Sequence, residues 1–168
     1  MISIAPLVSA HAVDVARIFE AGIADGNATF VAQAPSWSSF DESKLAGHRF
    51  VALVDEVVAG WVAVAAYSAR EIYAGVVEDA LYVDPAYAGR GLGRALLGAC
   101  VASTEAAGIW TVQARIFTEN AASLRVHSAV GFRTVGVQSR MGLMPYGPRA
   151  GLWRDVVLLE RRSSVTGL

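Results

Sequence analysis

The chain has 168 residues, 54% of them hydrophobic, and its 14 basic and 15 acidic side chains leave a net charge of −1. That length suits one domain that buries most of the surface its unfolded form exposes, so residues 1–168 read as a single domain. The charge balance offers no general attraction to nucleic acid or an anionic membrane, and a lone cysteine, Cys100, excludes an internal disulfide or a multi-cysteine metal site.

The opening "MISIAPLVSAHAVDVARIF" has no cationic leader before an apolar run, which predicts a cytoplasmic chain. Ile2 and Ile4 alternate with Ser3 as a first strand, and Ser9 can cap a helix with Val15, Ile18, Phe19 and Gly22 on one face. The loop "GIADGNATFVAQAPSWSSF" is too apolar for a mere linker, and its Phe30 and Trp37 are expected to line something. Ser39 and Glu42 form a capping box for a short helix ending near Gly47. "RFVALVDEVVAGWVAVAAY" reads as two strands turning at Asp55-Glu56. Its most apolar part, Val57 to Tyr67, is far shorter than the ~20 residues of a membrane span and is rich in β-branched residues.

"VVEDALYVD" supplies another strand. From Gly91 to about Ala107, Leu92, Ala95, Leu96, Ala99 and Cys100 follow helical spacing, with Gly108 placed to end the helix and Cys100 as a small buried hydrophobe. "IWTVQARIF" is the next strand. Asn120 starts a helix carrying Leu124 and His127 and closing at Gly131, and "GFRTVGVQSRM" and "LWRDVVLLERR" are the last two strands. The order is β-α-α-β-β-β-α-β-α-β-β, a mixed α/β domain with one central sheet. Trp37 and Trp153 read as core or interface residues rather than ligands.

Two features need chemistry. Gly89, Gly91 and Gly93 alternate between a strand and a helix, where the backbone can curl so that its N–H groups converge on an anion at the helix N-terminus. A dinucleotide fingerprint needs a further glycine where Arg94 or Leu96 stands, and the P-loop Gly-Lys-Ser/Thr is absent. What remains is a shorter turn, with Arg90 and Arg94 beside it as cations suited to a pyrophosphate. The second feature is a pair of acids, Glu78 and Asp79, inside an apolar strand.

"LYVDPAYAGRGLGRALL" resembles the acetyl-coenzyme A segment of the GNAT superfamily of N-acetyltransferases, and "NAASLRVHSAVGF" resembles that superfamily's second cofactor segment. The resemblance implies a mixed, mostly antiparallel sheet of about seven strands flanked by four helices. It also implies acetyl-CoA as co-substrate, without a metal. Leu81, Tyr82 and Val83 would pair with the pantetheine arm. Gly89, Arg90, Gly91, Leu92, Gly93 and Arg94 would hold the pyrophosphate, and Asn120 would contact the cofactor from the next segment. Where the superfamily usually has Gln or Arg, this chain has Ala88; either Arg90 offsets that loss or the chain is a non-catalytic coenzyme A-binding sensor of the same fold.

"GNATF", "SAREIYAGVVEDALYV" and "FTENAASLRVHSAVGF" are similar to the phosphinothricin and methionine sulfoximine acetyltransferases within the superfamily. This likeness implies transfer to the amine of a small amino-acid-like substrate held by Phe30, Arg70 and Tyr73, in a homodimer with no nucleic-acid or membrane partner. A protein N-terminus is an alternative acceptor; an acid-poor loop argues against an aminoglycoside. Glu78 is the implied general base, direct or through water, with burial raising its affinity for the proton. Asp79 falls on the opposite face of a regular strand and reads as structural or solvated. A bulge would reverse that parity, so the assignment to Glu78 rests on the resemblance. His127 stands where many members carry a tyrosine acid; it either protonates the thiolate or only shapes the pocket.

Overall fold

The computed structural model describes residues 1–168. Its elements are β1 (Ile2–Pro6), α1 (Ala12–Asp25), α2 (Trp37–Ser43), β2 (Phe50–Val54), β3 (Val57–Ala66), β4 (Val76–Val83), α3 (Leu92–Ala106), β5 (Thr111–Phe117), α4 (Ala121–Ala129), β6 (Arg133–Leu143) and β7 (Trp153–Arg162). The strands form one sheet in the order β1-β2-β3-β4-β5-β7-β6. Every neighbouring pair is antiparallel except β4 and β5. No helix is long and apolar enough to cross a membrane.

The apolar run of β3 is explained by helices on both faces of the sheet. Ala59, Val62 and Val64 join Leu92, Leu96, Leu97 and Cys100 of α3 in the larger core. Val58, Trp61 and Ala63 face Val15, Ile18 and Phe40 of α1 and α2 in a second one. The alternation slips once, where Ala52 pairs with Gly60 but Leu53 pairs with Val58; the extra residue is a β-bulge. Cys100 is fully buried, and burial pushes its thiol up to about 12, as a packing residue rather than a nucleophile.

Local signals were read correctly in type but not always in position. Asp55 and Glu56 both adopt positive φ, 47° and 67°, the conformation of a tight two-residue hairpin turn. Helix α2 is capped by Ser36, whose hydroxyl accepts from the Ser39 amide at 3.2 Å, so the Ser39–Glu42 box is not used and the helix ends at Ser43 rather than near Gly47. Ser9 does not cap α1 but opens a short 3-10 turn before it.

The decisive feature for function is where two strands part. β4 pairs with β3 from Val77 to Val83, but with β5 only through Val76–Glu78 against Thr111–Gln113. β5 continues to Phe117 alongside β7. Beyond Glu78 the centre of the sheet is therefore split into a wedge.

Candidate active site

The wedge opens into a cavity of about 550 Å³, lined by Glu78–Tyr82 of β4, Arg115 and Ile116 of β5, Asn120, Ser123 and His127 around α4, Lys44 after α2, and Thr29 and Val31 of the α1–α2 loop. Backbone alternation fixes which groups line its β4 lip. The Asp84 amide donates to the Ala59 carbonyl at 2.9 Å, so even-numbered β4 residues face β3 and the amides of Asp79, Leu81 and Val83 point toward the parted β5. The Leu81 and Val83 amides are thus left untaken by β5, whereas Tyr82, also expected to pair with the pantetheine arm, spends its backbone on Trp61 of β3. The Tyr82 ring stacks on both Phe19 and Trp61, and burial pushes its hydroxyl up to about 12.

The glycine turn follows directly. Asp84 accepts from the Ala86 amide at 2.9 Å and fixes a 3-10 turn over Pro85–Tyr87. Gly89 and Gly91 then take φ of 77° and 78°, where a side chain is strained, and a Cβ on either would meet nothing within 4 Å. The amides from Gly89 to Arg94 donate to no carbonyl of the chain, leaving the N-terminus of the 15-residue α3 as an open set of donors. Gly93 lies within the first turn of α3, its amide among those open donors, and a Cβ there would stand in ordinary contact, 3.4 Å, with Val126 of α4. Leu92 is buried beneath the turn; Arg90 and Arg94 are exposed beside it, with Arg90 over the Tyr87 ring.

Both acids border the cavity because the wedge gives access to either face of β4. Glu78 is ion-paired with Arg115 and its side chain is 34% exposed, so the burial expected to govern it is only partial. Asp79 is the buried one, 3% exposed, and its Oδ2 lies 2.9 Å from Nε2 of an equally buried His127. Of the structural and solvated readings of Asp79, the solvated one is thereby corrected. Burial works most strongly against a charge on His127, but the hydrogen bond and charge of Asp79 and the Ser123 carbonyl outweigh it and raise His127 above its ordinary value of 6.5. Burial lowers Lys44, with Asp79 opposing it.

Asn120 caps α4 by accepting from the Ser123 amide at 3.1 Å, and its amide nitrogen donates to the Asn27 carbonyl at 3.1 Å. That second bond ties the helix to the "GNATF" loop, which a buried arginine also holds. Arg154 of β7 donates to the Gly26 carbonyl (3.2 Å), Asn27 Oδ1 (2.7 Å) and the Glu119 carboxylate (3.1 Å), with its guanidinium 3.9 Å over Phe117. Tyr146 adds a bond to the Thr29 carbonyl at 2.7 Å.

The three expected acceptor contacts are not among the cavity lining. Phe30 packs edge-on against Phe117, in a small cluster with Met144 and Val156. Arg70 and Tyr73 sit on the turn between β3 and β4, where Tyr73 meets Tyr67, a residue of the cavity wall.

Residues 22–132, which contain the wedge, the glycine turn and α4, match the model of the acetyltransferase (GNAT) family. The chain belongs to that family. Its GNAT relatives include the L-methionine sulfoximine/L-methionine sulfone acetyltransferase of Salmonella typhimurium, 30% identical over 62% of this chain and 58% of that protein. The phosphinothricin N-acetyltransferase of Alcaligenes faecalis is 33% identical over 66% of this chain and 54% of the relative. The match thus spans little more than half the length of these relatives. A GNAT superfamily phosphinothricin acetyltransferase from Sinorhizobium meliloti, solved in complex with acetyl-CoA, superposes with a TM-score of 0.86 at 26% identity, covering 99% of this chain and 90% of that one.

Three residues of this GNAT chain's site escaped the sequence reading: Arg115 and Lys44, which line the cavity, and Arg154, which holds the Asn27 loop. Arg115 had a faint signal, a cation in an otherwise apolar strand. Lys44 and Arg154 had none, because their partners lie far away in the chain.

Proposed function

We propose that the chain is an acetyl-CoA-dependent N-acetyltransferase acting on the amine of a small amino-acid-like substrate such as phosphinothricin or methionine sulfoximine. The observation that carries this reading is the wedge itself, where a free strand edge and an acid–base cluster share one cavity, and the same strand runs on into the turn that leaves the N-terminus of α3 open. The residues fit the co-substrate: Leu81 and Val83 offer amides to an extended amide-bearing arm, and the amides from Gly89 to Arg94 offer donors to a pyrophosphate, helped by Arg90 and Arg94. Asn120 contributes from α4, Leu92 supports the turn from below, and Tyr82 positions the strand. Bound there, acetyl-CoA supplies the activated acetyl thioester.

Glu78 takes the proton that the attacking amine sheds as the C–N bond forms, directly or through water, and His127 gives one up as the C–S bond breaks. One turnover therefore moves a proton from His127 to Glu78, and exchange with water resets both. Arg70, Tyr73 and Tyr67 form the acceptor rim, while Phe30 acts by supporting Thr29. The likeness to the sulfoximine and phosphinothricin enzymes supports this acceptor class. We further take the chain to be a cytoplasmic homodimer.

The purified protein should release thiol from acetyl-CoA when given methionine sulfoximine or phosphinothricin in an amino-acid panel. Release no faster than without acceptor would remove the enzyme reading and favour a coenzyme A-binding sensor.

A further inference from the structure

We propose that Asp79 is a positioning residue that keeps His127 charged in the resting protein, so that the pair, rather than the imidazole alone, is the site's proton reserve. The inference rests on the role given to His127 above. Its ground is a count of protons. Nδ1 of His127 lies 2.8 Å from the Ser123 carbonyl, which can only accept, so Nδ1 carries hydrogen. Nε2 lies 2.9 Å from the Asp79 carboxyl, and two lone pairs cannot face each other at that distance. A second proton therefore lies between them; carried on Nε2, the more basic of the two groups, it makes the ring and its carboxylate an ion pair, both members 3% exposed.

The surroundings are consistent with that arrangement. Glu78 beside Asp79 is engaged by Arg115 of β5, and Lys44, arriving after α2, brings no negative charge that could compete for the imidazole. From α3 only the neutral Cys100 thiol is near Asp79, Tyr82 keeps its proton, and Phe132 presents its ring edge-on to the imidazole at 5.0 Å. Asp79 is thus the one anion that bonds to His127. Because folding raises His127, the pair stabilises the protein fully below the unfolded histidine value near 6.5, and this is lost as pH rises through the folded value.

The test follows the imidazole resonances by NMR in the whole protein, which has three histidines, with His127→Gln identifying the signal. Asp79→Asn keeps the shape and removes the charge; His127 should then titrate about one to three pH units lower. The alkaline limb of kcat should move down with it, with the Km for acetyl-CoA little changed. His127→Gln, which keeps a donor toward Asp79 but cannot titrate in this range, should abolish that limb. An unmoved His127 titration in a folded Asp79→Asn protein overturns the pairing. A moved titration with an unmoved kcat profile overturns the pair as the proton reserve, and thiol release in the panel still reports separately on the transferase reading. Should Asp79→Asn fail to fold, a limb that persists in His127→Gln overturns the proposal by itself.

Discussion

Glu78 and Asp79 are neighbours on one strand with opposite surroundings. Glu78 reaches the open part of the cavity beside Arg115, whereas Asp79 is enclosed with His127. Glu78→Gln removes the proposed proton acceptor while keeping its size; kcat should fall by about 10²- to 10⁴-fold, with acetyl-CoA affinity preserved because the open amides lie elsewhere. An unchanged kcat in steady-state assays would dismiss Glu78 from the mechanism. The sequence could mark the two acids as anomalous in an apolar strand but could not say which was buried. Alternation put them on opposite faces, and only the early parting of β4 from β5 makes both faces border one cavity. Arg154 shows a deeper limit: its three oxygen acceptors lie 35 to 128 residues away, a separation no local pattern encodes.

At the scale of elements, the glycines of the turn divide by backbone angle rather than by spacing. Gly91 caps α3 at a positive φ, so Gly91→Ala should cost about 1 kcal/mol from left-handed strain alone. Gly98 is within the same helix, with nothing within 4 Å of an added Cβ, and Gly98→Ala should gain roughly 0.5–1 kcal/mol from helix propensity. Urea midpoints that shift in the same direction for both would refute this division. The strand–turn–helix segment and the two-residue turn at Asp55 were legible because their signals are local and steric. The start of α2 was not, since "SWSSF" offers several serines, and the contact that seats the helix, Phe40 edge-on to Trp61 of β3, is invisible in the local pattern. Tyr82 was misread in part for a similar reason: register against β3, invisible in one strand, decides where its backbone points.

For the whole molecule, the order of elements carried the architecture, and the outer strand raises the question of assembly. β6 is an 11-residue edge on which Val135, Val137, Met141 and Leu143 are each about half exposed, and Leu143 pairs with an exposed Trp153. Long apolar edges are ordinarily blunted or covered. We expect two copies to cover theirs through this surface, with sedimentation giving a dimer and Val137→Glu shifting it toward monomer; a wild-type monomer at tens of micromolar would refute it. The wedge described above has a mechanical consequence as well. Only three residue pairs stitch residues 1–83 to residues 111–168 across the sheet's centre, so most of what joins the halves is side-chain packing on α3 and the Arg154 contacts. The chain is two lobes meeting at a seam, and a molecule that fills the wedge must touch both. Occupancy then fastens the domain where it is least sewn, and tight binding and cooperative unfolding become properties of the same few residues.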